Sequence, residues 1–323
     1  MELRSINKMV HMKKICFIAL LALSWQALAA QEAAPAPGTL DSVAIPGTDI
    51  TLHFVYIPAG TVTMKVGEVG KEVTVDGFWM SVREVTQEQF APFKDKDYDT
   101  EASDWEEGEF SVDAATRPSP PYTDVTFGMG DSGGFPAVSM TQQAALFYCY
   151  WLYTKTGQFF RPPTEAEWTY ACLAGSEGVF PPEVTLENLD EYAWHYDNSE
   201  EKYHVTASKQ PNAWGLYDML GNVAEYTIDQ YTDDYFSVLG EALDNPWPTP
   251  TKRYGRTVMG GSFDEDPEDC HCRFRLESTV HWQRRDPQIP KSIWWNTDAP
   301  FAGFRLVRTE APKTMEEVET FFG

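Results

Sequence analysis

The sequence predicts a mixed α+β domain with low regular secondary structure, on three observations. The 22 Gly, 22 Pro and 11 Trp are spread along the chain rather than gathered in blocks, as expected of many short elements joined by turns around large aromatic side chains. Three capping-box patterns, Ser or Thr followed three residues on by Gln or Glu, announce short helices. Neither an internal repeat nor a mid-chain linker divides the sequence, so one continuous domain is expected.

The elements follow in chain order. Residues 1–30 read as a signal peptide: Lys13 and Lys14 precede an apolar stretch over 15–23, and Ala27-Leu28-Ala29 offers a cleavage site. About 10 apolar residues fall short of the roughly 20 that a membrane span needs. Export to a periplasm or the extracellular space, with no stable membrane span after processing, is therefore expected. A short stalk, 31–48, precedes the main domain at 49–308, and 309–323 form a C-terminal tail.

Within the domain, 53–64 is a strand region broken by the Pro58-Ala59-Gly60 turn signal, and 73–80 alternates as the next strand. Thr86 with Gln89 opens a helix burying Phe90 and Phe93. Residues 94–123, rich in Asp, Glu, Ser and Pro, read as a surface excursion. Ser139 with Gln142 opens a helix that runs to about Lys155 and stops at Gly157. Thr164 with Glu167 opens a third, placing Trp168 and Cys172 on one face and ending at Gly175. Turns and short strands follow, and 315–322 has the pattern of a small amphipathic helix.

The formal charge of −24 becomes about −27 once the leader is removed. So acidic a chain repels nucleic acid and anionic lipid, and it tolerates Ca²⁺, which takes carboxylate, amide and carbonyl oxygens. Four cysteines survive processing: Cys149, Cys172, Cys270 and Cys272. In an oxidising compartment disulfides are expected, and four thiols allow three full pairings. On a strand, Cys270 and Cys272 would face one side and could share Cu(I) or Zn²⁺. The plainer reading leaves one of them in a disulfide and the other free.

Six motifs in order carry a resemblance to a family. They are Glu84-Val85-Thr86 with Gln89-Phe90; Pro136-Ala137-Val138-Ser139 leading to Tyr148-Cys149-Tyr150-Trp151-Leu152; Arg161-Pro162-Pro163-Thr164-Glu165-Ala166-Glu167-Trp168; Asn212-Ala213-Trp214-Gly215-Leu216-Tyr217-Asp218-Met219-Leu220-Gly221-Asn222-Val223; Gly260-Gly261-Ser262-Phe263; and Gly303-Phe304-Arg305. Together they resemble the formylglycine-generating-enzyme, or sulfatase-modifying factor, family over residues 50–308. The resemblance implies a single compact α+β domain, distantly C-type-lectin-like.

It also implies a chemistry that this chain fits only in part. The family enzyme oxidises a sulfatase cysteine with O₂, holding Cu(I) between two thiols downstream of Gly-Gly-Ser. Glu265 stands at the first thiol's place. Counting without a gap puts Cys270 at the second, whereas alignment on Arg275 puts Cys272 at a structural-disulfide position whose partner is Cys172. The resemblance therefore implies a Cys172–Cys272 disulfide. It leaves Cys270, Cys272 and Ser262 as candidate catalytic residues, with Cu(I) required only if the protein is an enzyme. Ser262 matches a serine lining the family's pocket. Asn222, the Val223 carbonyl and Glu225 match a Ca²⁺-binding turn, although Ala224 replaces a common Trp. Leu306 replaces the family partner of Cys149. Arg275 and Arg305 are expected to satisfy buried carbonyls or carboxylates. Trp282, Trp294 and Trp295 are expected in the core, with a binding groove as the alternative.

Three functions follow as expectations. The first is an exported, divergent, noncatalytic member that binds a protein or extended peptide, a sulfatase included, through the family's pocket face. The second is a copper-dependent formylglycine-generating oxidase, and the third a structural cell-envelope component.

Overall fold

The computed structural model describes residues 34–67, 69–95, 117–309 and 315–322. The signal segment at 1–30 and most of the acidic excursion, 96–116, lie outside the described residues. Of the expected stalk, Leu40–Ala44 is instead strand β1, whose residue Val43 is buried; it pairs antiparallel with β2, Thr51–Ile57. The Pro58-Ala59 turn then leads into β3, Gly60–Val66, and β3 forms a hairpin with β4, Val69–Val75. The single strand expected over 73–80 is broken at Asp76-Gly77, with β5 at Phe78–Ser81. A side chain on Gly77 would come within 2.3 Å of the Tyr56 hydroxyl, so the chain turns where only glycine fits.

Helix α1, Gln87–Lys94, carries the expected capping box, with Thr86 Oγ1 accepting from Gln89 N and Gln89 Oε1 accepting from Thr86 N. Helix α2, Gln142–Thr156, ends in left-handed Gly157 as read from the sequence, but its cap is Thr141 rather than Ser139. Ser139 has φ 61°, and its hydroxyl donates to the Val125 carbonyl at 2.7 Å, which takes it out of helix capping. After β6, Phe160–Arg161, helix α3 at Glu165–Leu173 has its Thr164/Glu167 box and is closed by left-handed Ala174.

Three further strands complete a second sheet around the site. They are β7 at Ala224–Gln230, β8 at Arg256–Met259 and β9 at Arg275–Glu277. The pair Ala302–Gly303 is β10, parallel to β7, and Val307–Arg308 is β11. The sheets run β1-β2-β5-β11-β6 and β10-β7-β8-β9. Short helix α4 spans Tyr235–Leu239, and α5, Met315–Phe322, forms the tail helix expected there. Helices hold 21% of the residues and strands 22%, which agrees with the low regular content expected. Trp282, Trp294 and Trp295 are buried among Phe90, Phe93 and Tyr226 and are core residues, not a groove.

Strand β7 positions most of the polar interior. Ala224 through Asp229 are all buried, so both faces of the strand are covered. Its period of two sends Ala224 and Tyr226 into the aromatic core, and Glu225 and Asp229 toward α3. Two carboxylates thereby enter the interior on one face of one strand. Their partners must come from elsewhere in the chain.

Candidate functional site

The Gly260-Gly261-Ser262 loop follows β8 and folds back on 266–270. Gly260 and Gly261 have φ of 96° and 74°, and a Cβ on Gly261 would lie 2.9 Å from the Asp269 carbonyl oxygen and 3.0 Å from Cys270 Sγ. This close approach accounts for the second glycine. Ser262 is fully buried; its hydroxyl makes a short bond to Glu265 Oε2 and accepts from Asp264 N at 3.2 Å. The serine that resembles a pocket-lining residue is here tied into its own turn. Burial pushes the Glu265 carboxyl up.

Cys270 is also fully buried, with Sγ 3.5 Å from the Ser262 carbonyl oxygen. Its thiol pKa is pushed far up by burial, then by the negative charges of Glu265 and Asp269. Cys272 is joined to Cys172 by a disulfide spanning 100 residues, with Cα atoms 5.5 Å apart. The strand geometry that would let both thiols face one metal is not formed. Pro267–Asp269 is a 3-10 turn, and β9 begins only at Arg275. Of the three candidate catalytic residues, the fold brings Ser262 and Cys270 together and commits Cys272 elsewhere. Cu(I) favours a pair of soft thiolate ligands; here the positions hold one thiol and one carboxylate, so the residues do not fit that ion as the pair would.

Of the three candidate calcium ligands, Asn222 and Glu225 are already engaged within the fold. Asn222 Oδ1 accepts from His204 N at 2.8 Å, its amide nitrogen donates to Glu84 Oε1 at 2.9 Å, and its carbonyl accepts from Phe263 N. Glu225 is held by Arg305 through Nε–Oε2 at 2.5 Å and Nη2–Oε1 at 2.6 Å, and it also accepts from Trp168 Nε1 at 2.7 Å. Three of the four lone-pair sites of the Glu225 carboxylate are thus taken by a guanidinium fork and an indole, groups that would have to move for a cation to share it. These side chains fit a structural network and do not fit Ca²⁺.

That network was not read from the sequence as a unit. Arg305, fully buried, also donates to the Ser81 and Tyr217 carbonyls, the expected role for this arginine. Two further buried acids, Glu84 and Asp218, stand beside it. Burial raises the Glu84 pKa well above the usual range, and the negative Asp218 and Glu225 raise it further. Burial pushes the Asp218 carboxyl up as well, and Asp218 Oδ2 accepts from Ala207 N at 2.6 Å. Glu84 lies in the Glu-Val-Thr motif and Asp218 in the Tyr-Asp-Met motif, so motif membership was the available signal. A second cluster pairs Arg275 Nε with Glu165 Oε1 at 2.5 Å, and burial, then the nearby Glu165 charge, push the Asp229 carboxyl well up.

A pH prediction follows from Glu84. Its folded pKa is raised, so the folded chain binds more protons than the unfolded chain between the ordinary carboxylate pKa and the raised value, and stability falls as pH rises through that window. Gln at position 84 keeps an acceptor for Asn222 and a donor for Asp218. We expect Glu84→Gln to match the native protein near pH 4 and exceed its stability at pH 8 by on the order of 1–3 kcal/mol, read from urea melts. Equal stability at both pH values, or a loss at pH 8, would mean that Glu84 is ionised in the fold.

The architecture and the site together define a disulfide-tied α+β domain with buried ion pairs and a Gly-Gly-Ser loop folded back on residues 266–270. The chain belongs to the sulfatase-modifying factor family: the sulfatase-modifying factor enzyme 1-like domain matches residues 46–310. It is 30% identical over 275 residues to the formylglycine-generating enzyme of Mus musculus, covering 70% of each chain. It is 29% identical over 230 residues to the inactive C-alpha-formylglycine-generating enzyme 2 of Bos taurus, covering 57% of this chain and 73% of that one. Among solved structures it is similar to PvdO from Pseudomonas aeruginosa, with a TM-score of 0.61, 24% identity, and coverage of 86% of this chain and all of the other.

Proposed function

We propose that the protein is an exported, noncatalytic member of the family that binds an extended segment of a protein partner on the face around the Gly-Gly-Ser loop. One observation carries the reading: the two copper-thiol positions hold Glu265, bonded to Ser262, and a buried protonated Cys270, or else a Cys272 already committed to a disulfide. The similarity to a relative named inactive agrees with it. The Cys172–Cys272 disulfide supports an oxidising location, since such bonds persist outside reducing compartments. Among the described residues no helix is long and apolar enough to cross a membrane.

Three loops build the proposed face. Thr206 N donates to the Gly134 carbonyl at 3.0 Å, Tyr196 N to the Glu265 carbonyl at 2.9 Å, and Ser199 Oγ to the Phe263 carbonyl at 2.9 Å. Phe127, Tyr196 and Val205 remain 44%, 48% and 37% exposed on these loops. Arg285 stacks on the Phe127 ring at 3.9 Å. Burial and the neighbouring Glu201 charge push the Asp264 carboxyl up, a repulsion that a basic side chain of a partner would relieve.

The test uses the chain from residue 31 onward, Cu(I) under mild reduction, and a Cys-x-Pro-x-Arg peptide as probe. We expect no stoichiometric copper, no aldehyde product, and no alkylation of Cys270 by iodoacetamide until the protein is unfolded. Copper bound one to one and lost on Cys270→Ser, together with peptide oxidation, would replace this reading by the oxidase.

A further inference from the structure

Beside the start of α2 lies a cavity of about 280 Å³ that shares no residue with the Gly-Gly-Ser loop. Gln142, Gln143, Tyr226, Arg253, Tyr254 and Arg256 are among its walls, and no carboxylate lines it. In a chain with 49 acidic and 25 basic residues, two arginines at a cavity without an acid call for a charge partner.

The hydrogen-bonding groups point the same way. Arg256 Nη1 is buried and has no partner among the described residues, and burial lowers the pKa of this guanidinium. Arg253 is anchored by Nη2 to the Lys291 and Ser292 carbonyls, each at 2.7 Å, so it too meets only neutral groups there. The Tyr226 hydroxyl accepts from Asn296 Nδ2 at 2.6 Å, which leaves its own proton for the cavity. Tyr254 donates to Gln283 Oε1 at 2.9 Å, and Gln283 is fixed by its amide on the Ser292 and Trp295 carbonyls. Thr141 Oγ1 caps Ala144 N, and Gln142 and Gln143, whose backbone N–H groups have no acceptor within the helix, are on the cavity wall. Guanidinium, phenol O–H and a helix N-terminus together form a donor set for an anion.

A larger groove of about 1040 Å³ shares Gln142, Gln143 and Arg256 with this cavity and continues over Leu146, Ile228, Trp247 and Phe321, with Glu317 and Thr320 also on its wall. Arg256 thus stands where a donor-rich chamber meets an apolar one. We propose that the two form a single binding site for a small amphiphilic organic anion, its carboxylate or sulfate head on Arg256 and its apolar body along Trp247 and Phe321. The position of the charge follows from the unpartnered Arg256 Nη1, and the apolar body from the groove's lining. The site is independent of the function proposed above.

The test is calorimetric titration of the protein with octanoate and octyl sulfate below micellar concentrations, with acetate, inorganic sulfate and octyl glucoside as controls. We expect one-to-one binding of at least one eight-carbon anion. Acetate, sulfate and the neutral glucoside should bind at least about ten-fold more weakly. Arg256→Gln should weaken binding by about ten-fold or more, Arg256→Lys by less, and Trp247→Ala several-fold through loss of apolar contact. Because Arg256 Nη1 has no hydrogen-bond partner among the described residues, replacing the side chain is expected to change the melting temperature little; Trp247→Ala gives an independent readout away from the charge. Octyl anions that fail to saturate at millimolar concentration, or that bind Arg256→Gln as tightly as the native protein, would overturn the site. Acetate or sulfate binding as tightly as the octyl anions would overturn the paired-chamber proposal.

Discussion

Replacing Arg305 by Met is expected to cost the fold about 3–5 kcal/mol, because it strands Glu225 as a buried charge beside Glu84 and Asp218. Against a total stability of roughly 5–15 kcal/mol, that loss is a large fraction. Arg305 has no exposed surface and supplies both guanidinium bonds to Glu225 as well as those to the Ser81 and Tyr217 carbonyls, so its loss leaves these acceptors buried without their donor. The penalty should depend on pH in a definite direction. Without Arg305, protonation of Glu225 relieves the uncompensated charge, so Arg305→Met should be less destabilising at pH 5 than at pH 7.5. Adding Glu225→Gln removes the stranded charge while leaving an acceptor for Trp168, and should recover part of the loss. Urea melts of the single and double variants at the two pH values decide the matter. A loss under 1 kcal/mol, or one independent of pH, would show that the pair is not a buried charge pair in solution.

The second large effect is expected from the disulfide. Cys172 and Cys272 are 100 residues apart, and cross-linking a loop of that length restricts the unfolded chain by about 4.7 kcal/mol in the chain-entropy treatment. We expect Cys172→Ala with Cys272→Ala to lose about 2–5 kcal/mol, and reduction of the native protein to lose a similar amount. Both half-cystines are fully buried, Cys172 on α3 and Cys272 just ahead of β9, so the bond staples that helix to the second sheet. Peptide mapping without reduction should recover the Cys172–Cys272 linkage and leave Cys149 and Cys270 as thiols. A Cys270–Cys272 or Cys149–Cys172 linkage, or an unchanged melting midpoint after reduction, would refute the assignment.

Much of the fold was legible because its signals are local. The Thr86/Gln89 and Thr164/Glu167 boxes and the Gly157 stop concern backbone groups within one helical turn, so three or four letters suffice to place them. Ser139 shows the limit of the same reasoning. Its pattern with Gln142 was that of a cap, yet a hydrogen bond to Val125, 14 residues away, took its hydroxyl, and Thr141 capped the helix instead. The break at Asp76-Gly77 was likewise missed, because it depends on the Tyr56 ring approaching from β2.

By itself the sequence determined the α+β class, the Thr86 and Thr164 helix starts and the Gly157 stop, the family through six ordered motifs, and the absence of a thiol at Glu265. Tertiary structure alone decided which charges meet. Strand β11 lies between β5 and β6, and Glu225 finds Arg305 across 80 residues, so a carboxylate that resembled a cation ligand became half of an ion pair. Arg256, which no motif of the sequence singled out, was left with one buried guanidinium nitrogen unpartnered among the described residues. The physical reason is range: caps and turns are satisfied by near neighbours, whereas a buried charge is satisfied by whichever distant group the closed fold brings within hydrogen-bonding distance.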